Sequence, residues 1–302
     1  MKDAQVIAAA AVGQLRSGNI VLDHIALTKP RLNFLVVASS AAGYYLGTGS
    51  SVSGWLMAQA VAGTALVAAG SAVLNQLYER DTDALMRRTR QRPLPDGRIS
   101  NIDALIFGIA LSVAGVVTLA VRANLLAAGL ALATLVVYLL VYTPMKRQTP
   151  LSTIVGAVPG ALPPLIGWTA ARGIVDAGGL SLFAIVFLWQ IPHFMAIAWM
   201  YRDDYSKAGF PMLPVIEPDG RRAGRQALIY ALALLPISLT PTWAGVSGWI
   251  AFAIAALLGI GLIVLSMRFA AERTDQSART LFYATITYLP LLWIAMVVDK
   301  VV

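Results

Sequence analysis

Nine stretches of this chain are apolar over enough residues to cross the hydrocarbon core of a membrane, which takes about 20 residues as a helix. They cover residues 32–46, 55–78, 104–121, 125–142, 154–171, 180–201, 226–242, 249–267 and 281–298. All nine are expected to be helices, because a backbone exposed to lipid must satisfy its hydrogen bonds internally. With 58% hydrophobic residues among 302, the composition is that of an integral membrane protein. The connections are short, so residues 1–302 are predicted to form one all-α membrane domain.

Lysine and arginine lie almost entirely on one side of this predicted topology. When the loops are assigned to alternating sides, 20 of the 23 basic residues share the side of the N-terminal segment, and the exceptions are Arg122, Arg172 and Lys300. The positive-inside rule then predicts a cytoplasmic N-terminus and a C-terminus on the opposite side. The net charge of +8 is therefore interpreted as a topology signal and not as a nucleic-acid-binding surface. Residues 4–13 are apolar but too short to span a membrane.

The second apolar stretch ends in a group of potential oxygen ligands. Asn75, Glu79 and Asp83 are spaced four residues apart, so a helix that continues through them places their side chains in one stripe, with successive Cβ atoms about 6 Å apart. Carboxylate and carboxamide oxygens suit Mg²⁺, which usually binds through one or two carboxylates together with substrate phosphates. The chain has no Cys, so thiolate metal sites and cysteine nucleophiles are excluded.

A cluster of positive charge comes after this stripe within a few residues. It consists of Arg87, Arg88, Arg90 and Arg92. Metal ligands next to fixed positive charge favour a site for a metal-bound polyanion. Asp81 lies off the stripe and is expected to pair with Arg80 or Arg87. The alternative is that all these residues are solvated charges making weak surface pairs, but the apolar helix before them and the arginines after them favour a site.

Two further groups of polar residues lie at helix ends on the same predicted side. Tyr142 and Lys146 are four residues apart, and a phenol and an ammonium both donate hydrogen bonds to phosphate oxygens. His193 lies inside the sixth apolar stretch, where ionisable residues are functional candidates. Asp203 and Asp204 come just after that stretch and are candidate ligands of a second metal ion.

These patterns resemble the UbiA-like intramembrane prenyltransferase superfamily, and within it the branch that farnesylates heme. The resemblance rests on Asn75-x-x-x-Glu79-x-Asp81-x-Asp83 continuing to Arg88-Thr-x-x-Arg92-Pro, on WQIPHF at 189–194, and on DDYSKAGFPMLPV at 203–215. It extends from Thr28-Lys-Pro-Arg31 through GALPPLIGW at 160–168 to the last helix. The first motif is typical of the whole superfamily, whereas its combination with WQIPHF is specific to the heme-modifying branch.

The resemblance implies a bundle of nine transmembrane helices around a central cavity capped by cytoplasmic loops, in a bacterial inner membrane with the C-terminus in the periplasm. Farnesyl diphosphate is the implied donor, held by Mg²⁺ at Asn75, Glu79 and Asp83, with heme b as the acceptor. Candidate protein partners are a heme A synthase or assembly factors of a terminal oxidase.

The resemblance also assigns roles to the remaining candidates. Tyr142 and Lys146 match residues that contact the diphosphate, and Lys146 would stabilise the charge that develops on it. Arg87, Arg88 and Arg92 would add further positive charge. His193 would orient heme, through the iron or through a propionate. The superfamily's second D-x-x-x-D motif is absent near the sixth helix, where only the adjacent Asp203 and Asp204 occur.

Two alternatives remain open from the sequence. A UbiA-like prenyltransferase with a quinone precursor or another aromatic acceptor would share the first motif but would have no need of WQIPHF. A polyanion transporter would be expected to carry charges on both sides or at the midplane, whereas here the basic residues face one side.

Overall fold

The computed structural model describes residues 19–301. The apolar stretch 4–13 and the basic Lys2 and Arg16 of the predicted cytoplasmic segment lie outside the described residues. The helices are α1 (Ile20–Leu27), α2 (Pro30–Gly47), α3 (Gly54–Asp83), α4 (Asn101–Arg122), α5 (Leu125–Met145), α6 (Ser152–Arg172), α7 (Ala177–Met200), α8 (Arg202–Lys207), α9 (Leu213–Ile216), α10 (Arg221–Trp243), α11 (Trp249–Glu272) and α12 (Asp275–Val298).

Each of the nine predicted spans is helical, and eight of them are long and apolar enough to cross a membrane. The exception is α2, an 18-residue helix whose first turns carry Arg31 and Asn33 and whose middle carries two buried serines. The prediction of nine membrane spans is therefore confirmed for eight helices among residues 19–301, while the ninth span, at α2, stays a prediction. Large apolar side chains such as Leu125 and Leu257 are exposed on the outside of the bundle, as expected for a surface in contact with lipid. The chain is an all-α multi-pass membrane protein.

Polar side chains in the connections begin many of the long helices. The first N–H groups of a helix have no partner within it, and a side-chain oxygen just before the helix satisfies one of them. Such caps are formed by Ser53, Ser100, Asn124, Asp176 and Thr274, at the starts of α3, α4, α5, α7 and α12. The sequence thereby encodes where several membrane helices start.

Close approach between α2 and α6 depends on two glycines. A Cβ atom on Gly43 would clash with the backbone carbonyl of Pro164, and one on Gly167 would clash with the carbonyl of Ser40. Small residues commonly allow membrane helices to pack this closely. Helix α2 also contacts α3 and α12, so helices from the beginning and from the end of the described chain pack against each other. The larger apolar core lies between α7, α10 and α12.

The two ends of the bundle differ in character. At one end, Lys300 donates hydrogen bonds to the hydroxyl of Thr48 at 2.9 Å and to the carbonyl of Gly49 at 3.1 Å. At the other end, ion pairs join connections that are far apart in sequence, including Arg98 with Asp23, and Arg202 with Asp275. The candidate functional residues lie at this second, charged end.

Candidate active site

The predicted stripe of oxygen ligands forms at the charged end of α3. This helix continues to Asp83, five residues beyond the predicted end at residue 78, so Asn75, Glu79 and Asp83 share one helical face. All three are buried, with exposed fractions of 2%, 7% and 1%. Asp81 points elsewhere and pairs with Arg80 at 3.0 Å, which confirms one of its two predicted partners. The three stripe residues are therefore buried and are not solvated surface charges.

Within residues 19–301, each stripe residue uses only one of its polar side-chain atoms to bond to another residue. The Nδ2 of Asn75 donates to the hydroxyl of Thr143 at 3.2 Å, and that hydroxyl itself donates to a carbonyl. The Oδ1 atom of Asn75 therefore takes no part in the contact with Thr143. Glu79 accepts through Oε1 and Asp83 through Oδ2. Across residues 19–301, three hard oxygens remain without a protein partner, namely Oδ1 of Asn75, Oε2 of Glu79 and Oδ1 of Asp83, and this donor set fits Mg²⁺.

Helix α5 supplies the partner of Glu79. It contains a π-helical segment, Val137–Tyr142, just before the turn that carries Lys146. The Nζ of Lys146 donates to Oε1 of Glu79 at 2.7 Å and lies 5.0 Å from the ring centroid of Phe210. Burial by itself lowers the pKa of Lys146, but the phenol of Tyr142 and the carboxylate of Glu79 act in the opposite direction and raise it above the ordinary lysine value. Lys146 is thus a permanent cation beside the stripe.

The segment after α3 folds back over the stripe. The hydroxyl of Thr89 donates to the backbone carbonyl of Asp83 at 2.8 Å, and Nη1 of Arg92 donates to Oδ2 of Asp83 at 2.7 Å. Arg88 donates to the phenol of Tyr205 at 2.9 Å and lies over the ring of Tyr201. This fold brings Arg88 and Arg92 to the site.

Lys29 lies in the site although it is not among the residues predicted from the sequence to form it. It precedes α2, has a left-handed backbone with φ of 49°, and lines the same cavity as the stripe. Its ammonium makes no hydrogen bond or ion pair with any residue from 19 to 301. Burial, reinforced by the nearby Arg92, lowers the pKa of Lys29 to about 8, against the opposing effect of Glu79 and Asp83. The available signal was Thr28-Lys-Pro-Arg31 at the start of an apolar helix, which marks the extent of the family resemblance and adds to the topology charge but predicts no role for Lys29 itself.

His193 lines the same cavity as the stripe. Its ring is stacked between Trp189 and Phe282, with centroids 5.1 Å away on both sides. Its Nδ1 lies 2.9 Å from the hydroxyl of Thr285 in α12. Sequence reasoning identified His193 but none of the partners from α12.

A single cavity of about 310 Å³ joins these groups. Four cationic side chains and two carboxylates line it, together with aromatic and apolar groups. The lining includes Lys29, Asn75, Glu79, Asp83, Arg88, Arg92, Tyr138, Tyr142, Lys146, His193, Phe194 and Ile197. The excess of positive charge suits a polyanion, while the apolar part suits a hydrocarbon chain.

Three predicted site residues are not brought into this cavity. Arg87, Asp203 and Asp204 line a neighbouring cavity of about 330 Å³, which Arg88 also touches. Arg87 is largely exposed and lies 3.9 Å from Asp204. Within residues 19–301, no group of three or more His, Cys, Asp or Glu side chains is arranged to hold a metal ion. A second metal site at Asp203 and Asp204 therefore stays a prediction, and the two aspartates do not face the first one across a shared cavity.

The bundle is shared with solved structures of low sequence identity. One, from work on the biosynthesis of digeranylgeranylglyceryl phosphate synthase in membranes, matches with a TM-score of 0.78 at 17% identity and covers 92% of this chain and 98% of its own. Another is a UbiA homolog from Archaeoglobus fulgidus bound to GPP and Mg²⁺, with a TM-score of 0.68 at 18% identity, covering 91% and 99%. These likenesses establish the fold.

Sequence relatives identify the class of protein to which this membrane bundle belongs. A relative from Solibacter usitatus named protoheme IX farnesyltransferase is 47% identical over 288 residues, covering 92% of this chain and 98% of the relative. A relative of the same name from Koribacter versatilis is 42% identical, covering 94% and 95%. The UbiA prenyltransferase family profile matches residues 36–293. The chain belongs to the UbiA prenyltransferase family.

Proposed function

We propose that this protein transfers the farnesyl group of farnesyl diphosphate to a vinyl group of heme b, giving heme O and diphosphate. The observation that carries the proposal is that one cavity is lined both by the oxygen stripe with its cations and by His193. The first group suits the diphosphate of the donor and the second suits heme, and the relatives from Solibacter usitatus and Koribacter versatilis carry the name of a heme farnesyltransferase.

The stripe and its cations bind the donor diphosphate. Mg²⁺ held by Asn75, Glu79 and Asp83 supplies positive charge against the phosphate oxygens when it is bound. Lys146 lies within hydrogen-bonding distance of Glu79 and is placed to donate to the same phosphate. Tyr142 is a second hydrogen-bond donor from the same helix end.

Charge stabilisation by these residues lowers the barrier to ionisation. Breaking the allylic C–O bond leaves a delocalised farnesyl cation and a diphosphate that gains negative charge. Lys146, Arg88 and Arg92 favour this transition state because their attraction grows as that charge develops. At an effective dielectric constant near 20, one unit charge pair about 4 Å apart is worth roughly 4 kcal/mol, so two such contacts correspond to a rate factor on the order of 10⁶.

The apolar part of the cavity protects the cation. Tyr138, Phe194 and Ile197 line the cavity beside the cations, and such walls limit premature capture of the cation by water. The terminal vinyl carbon of heme bonds to the farnesyl carbon, and a water molecule adds to the adjacent carbon with loss of a proton. The product is a hydroxyethylfarnesyl side chain.

The site is proposed to face the cytoplasm of a bacterial cell whose inner membrane holds the protein. Support comes from the 20 of 23 basic residues that share one side of the helical topology. The C-terminus would then be periplasmic. A heme A synthase or terminal oxidase assembly proteins remain the predicted partners, because heme O must be handed on from the membrane.

The decisive experiment is mass spectrometry of pigment extracted after incubation of the purified protein with heme b, farnesyl diphosphate and Mg²⁺. We expect a product heavier than heme b by one farnesyl group and one hydroxyl group. If heme b is unchanged while an aromatic quinone precursor is prenylated, the alternative acceptor is correct. Movement of farnesyl diphosphate across vesicle membranes without any product would instead support a transporter.

A further inference from the structure

His193 is held on three sides, which leaves one edge of its imidazole for the cavity. Trp189 stacks on one face at an interplanar angle of 16° and Phe282 on the other at 20°. The Nδ1 atom contacts the hydroxyl of Thr285 at 2.9 Å. His193 lines the cavity, so its remaining polar atom, Nε2, is the one available to a bound molecule.

The hydroxyl of Thr285 determines which nitrogen carries the proton. This hydroxyl lies 2.6 Å from the backbone carbonyl oxygen of Phe282, and a carbonyl oxygen only accepts hydrogen bonds. The single hydroxyl hydrogen of Thr285 is therefore used on that carbonyl, and toward His193 the hydroxyl acts as an acceptor. Nδ1 must then be the protonated nitrogen, and Nε2 carries a lone pair. Among the described residues Nε2 has no partner.

Helix packing holds this arrangement in place. Trp189 stacks on His193 from one turn earlier in α7, and its Nε1 donates to the backbone carbonyl of Thr285 at 2.7 Å. Thr285 is fully buried. Helix α7 thus supplies the ring of Trp189 that stacks on His193, and α12 supplies the hydroxyl of Thr285 that accepts from it. The hydrogen bond from Trp189 to Thr285 joins the two helices at this point.

We infer that Nε2 of His193 is an axial ligand of the iron of the acceptor heme, and that Thr285 is the positioning residue that fixes the ligating tautomer. The inference rests on the proposed function and deepens it. A lone pair on Nε2 coordinates iron but cannot donate a hydrogen bond to a propionate carboxylate, so the geometry selects the iron over the propionate. Metal-bound histidines generally hold their second nitrogen in such a hydrogen bond.

The test compares two threonine variants on the same helix. Thr285→Val removes the acceptor for Nδ1, whereas Thr287→Val removes an exposed hydroxyl that donates to the carbonyl of Tyr283. The full-length protein in detergent is titrated with ferric protoheme IX while the Soret band is recorded. We expect Thr285→Val to bind heme about 10–100-fold more weakly, the range found for other residues that orient metal ligands, and to lose the nitrogen-ligated spectrum. Thr287→Val should match the wild type, and Thr285→Ser should restore binding.

Iron-free protoporphyrin IX separates ligation from pocket shape. Its affinity should be unchanged in Thr285→Val and in His193→Ala, because it offers no metal to Nε2. Added imidazole should restore the nitrogen-ligated Soret band of His193→Ala with ferric heme. Binding of farnesyl diphosphate by all variants checks that they are folded.

Two results overturn the inference in distinguishable ways. If the wild type binds ferric heme saturably but Thr285→Val and His193→Ala give the same spectrum and affinity, the ligation is wrong while the proposed function stands. The ligation is also wrong, and the proposed function still stands, if Thr285→Val and His193→Ala weaken the binding of iron-free protoporphyrin IX as much as that of ferric heme. If the wild type itself shows no saturable change with heme, the proposed function fails and the inference fails with it.

Discussion

The carboxylates of the stripe are each neutralised by one cation before any substrate binds. Glu79 pairs with Lys146 and Asp83 with Arg92, both at 2.7 Å. These pairs hold the ligands in place, yet each carboxylate keeps a second oxygen for a metal ion. Removal of one partner leaves a buried charge without compensation, which is costly.

We expect Asp83→Ala to lower turnover of farnesyl diphosphate and heme b by at least about 10²-fold, because it removes a proposed metal ligand at the point where charge develops. Asp81→Ala is the matched control two residues earlier, since the Asp81 side chain is 85% exposed and, within residues 19–301, pairs only with Arg80. Product formation by purified protein measures the effect. An active Asp83→Ala protein would refute the assignment of the stripe.

Lys29 combines an uncompensated ammonium with a backbone conformation that is unfavourable for any residue other than glycine. Its φ of 49° lies in the left-handed region, and residues held there at a site are candidates for function. Among residues 19–301, only Arg273 shares this feature outside glycine, with φ of 48° at the end of α11.

The pKa of Lys29 predicts a pH dependence of donor binding. With a pKa of about 8 in the free protein, Lys29 is protonated below pH 8 and is then able to bind the diphosphate. A bound anion raises that pKa, so affinity should be constant below pH 8 and fall by up to about tenfold per pH unit above it. Lys29→Gly tolerates the backbone conformation but removes the cation, so it should bind about 10–100-fold more weakly at pH 7 and lose this dependence.

Arg273→Gly is the control for Lys29→Gly, because it makes the same backbone change far from the cavity. Binding of farnesyl diphosphate measured calorimetrically between pH 7 and 9.5 should match the wild-type curve in this variant. A Lys29→Gly protein that kept the wild-type pH profile would assign the pH dependence to another group.

At the scale of single elements, the π-helical segment of α5 sets the direction of Lys146. Segments of this kind contain one residue more than a regular α-helix and are frequent at functional sites. The extra residue rotates the C-terminal end of the helix by about 100°, the angle between successive residues of a helix. The segment thereby turns Lys146 toward Glu79.

Deletion of Leu140 from this segment should restore a regular helix and rotate Lys146 away from Glu79. We expect a loss of turnover of about 10²-fold or more, since a charge that stabilises the transition state is displaced. Leu140→Ala is the control, because this side chain is 71% exposed and its truncation leaves the helical register intact. Both proteins are compared for turnover and for thermal unfolding; an active, normally folded deletion variant would show that the segment has no role in placing Lys146.

At the scale of the whole molecule, the asymmetry of charge predicts how the bundle sits in the membrane. The chain has no native Cys, so single cysteines report position without a background. Asp219→Cys lies before α10 at the charged end and Ser51→Cys lies before α3 at the opposite end, and both positions are exposed. In intact bacterial cells, a membrane-impermeant maleimide should label only Ser51→Cys. After the cells are opened it should label both, and labelling of Asp219→Cys in intact cells would reverse the orientation.

The long apolar helices could be predicted from the sequence alone, because lipid requires every exposed backbone group to be paired within its own segment; the short helices α1, α8 and α9 were not predicted. The stripe could be predicted as well, because four-residue spacing on a helix leaves no choice of face. The predicted end of α3 was wrong, because the apolar stretch ends at residue 78 whereas the helix continues to Asp83. Polar residues that face a cavity continue a helix as readily as apolar ones that face lipid.

Tertiary packing, in contrast, decided which polar groups share the cavity. Lys29 and Thr285 lie far from the stripe and from His193 in sequence, and no local pattern relates positions on helices that meet only by packing. Packing also separated Asp203 and Asp204 from the cavity, although they stand close to His193 along the chain. Spacing along one helix is dictated by covalent geometry, whereas contact between helices depends on how all of them fit together, down to a glycine that lets two backbones touch.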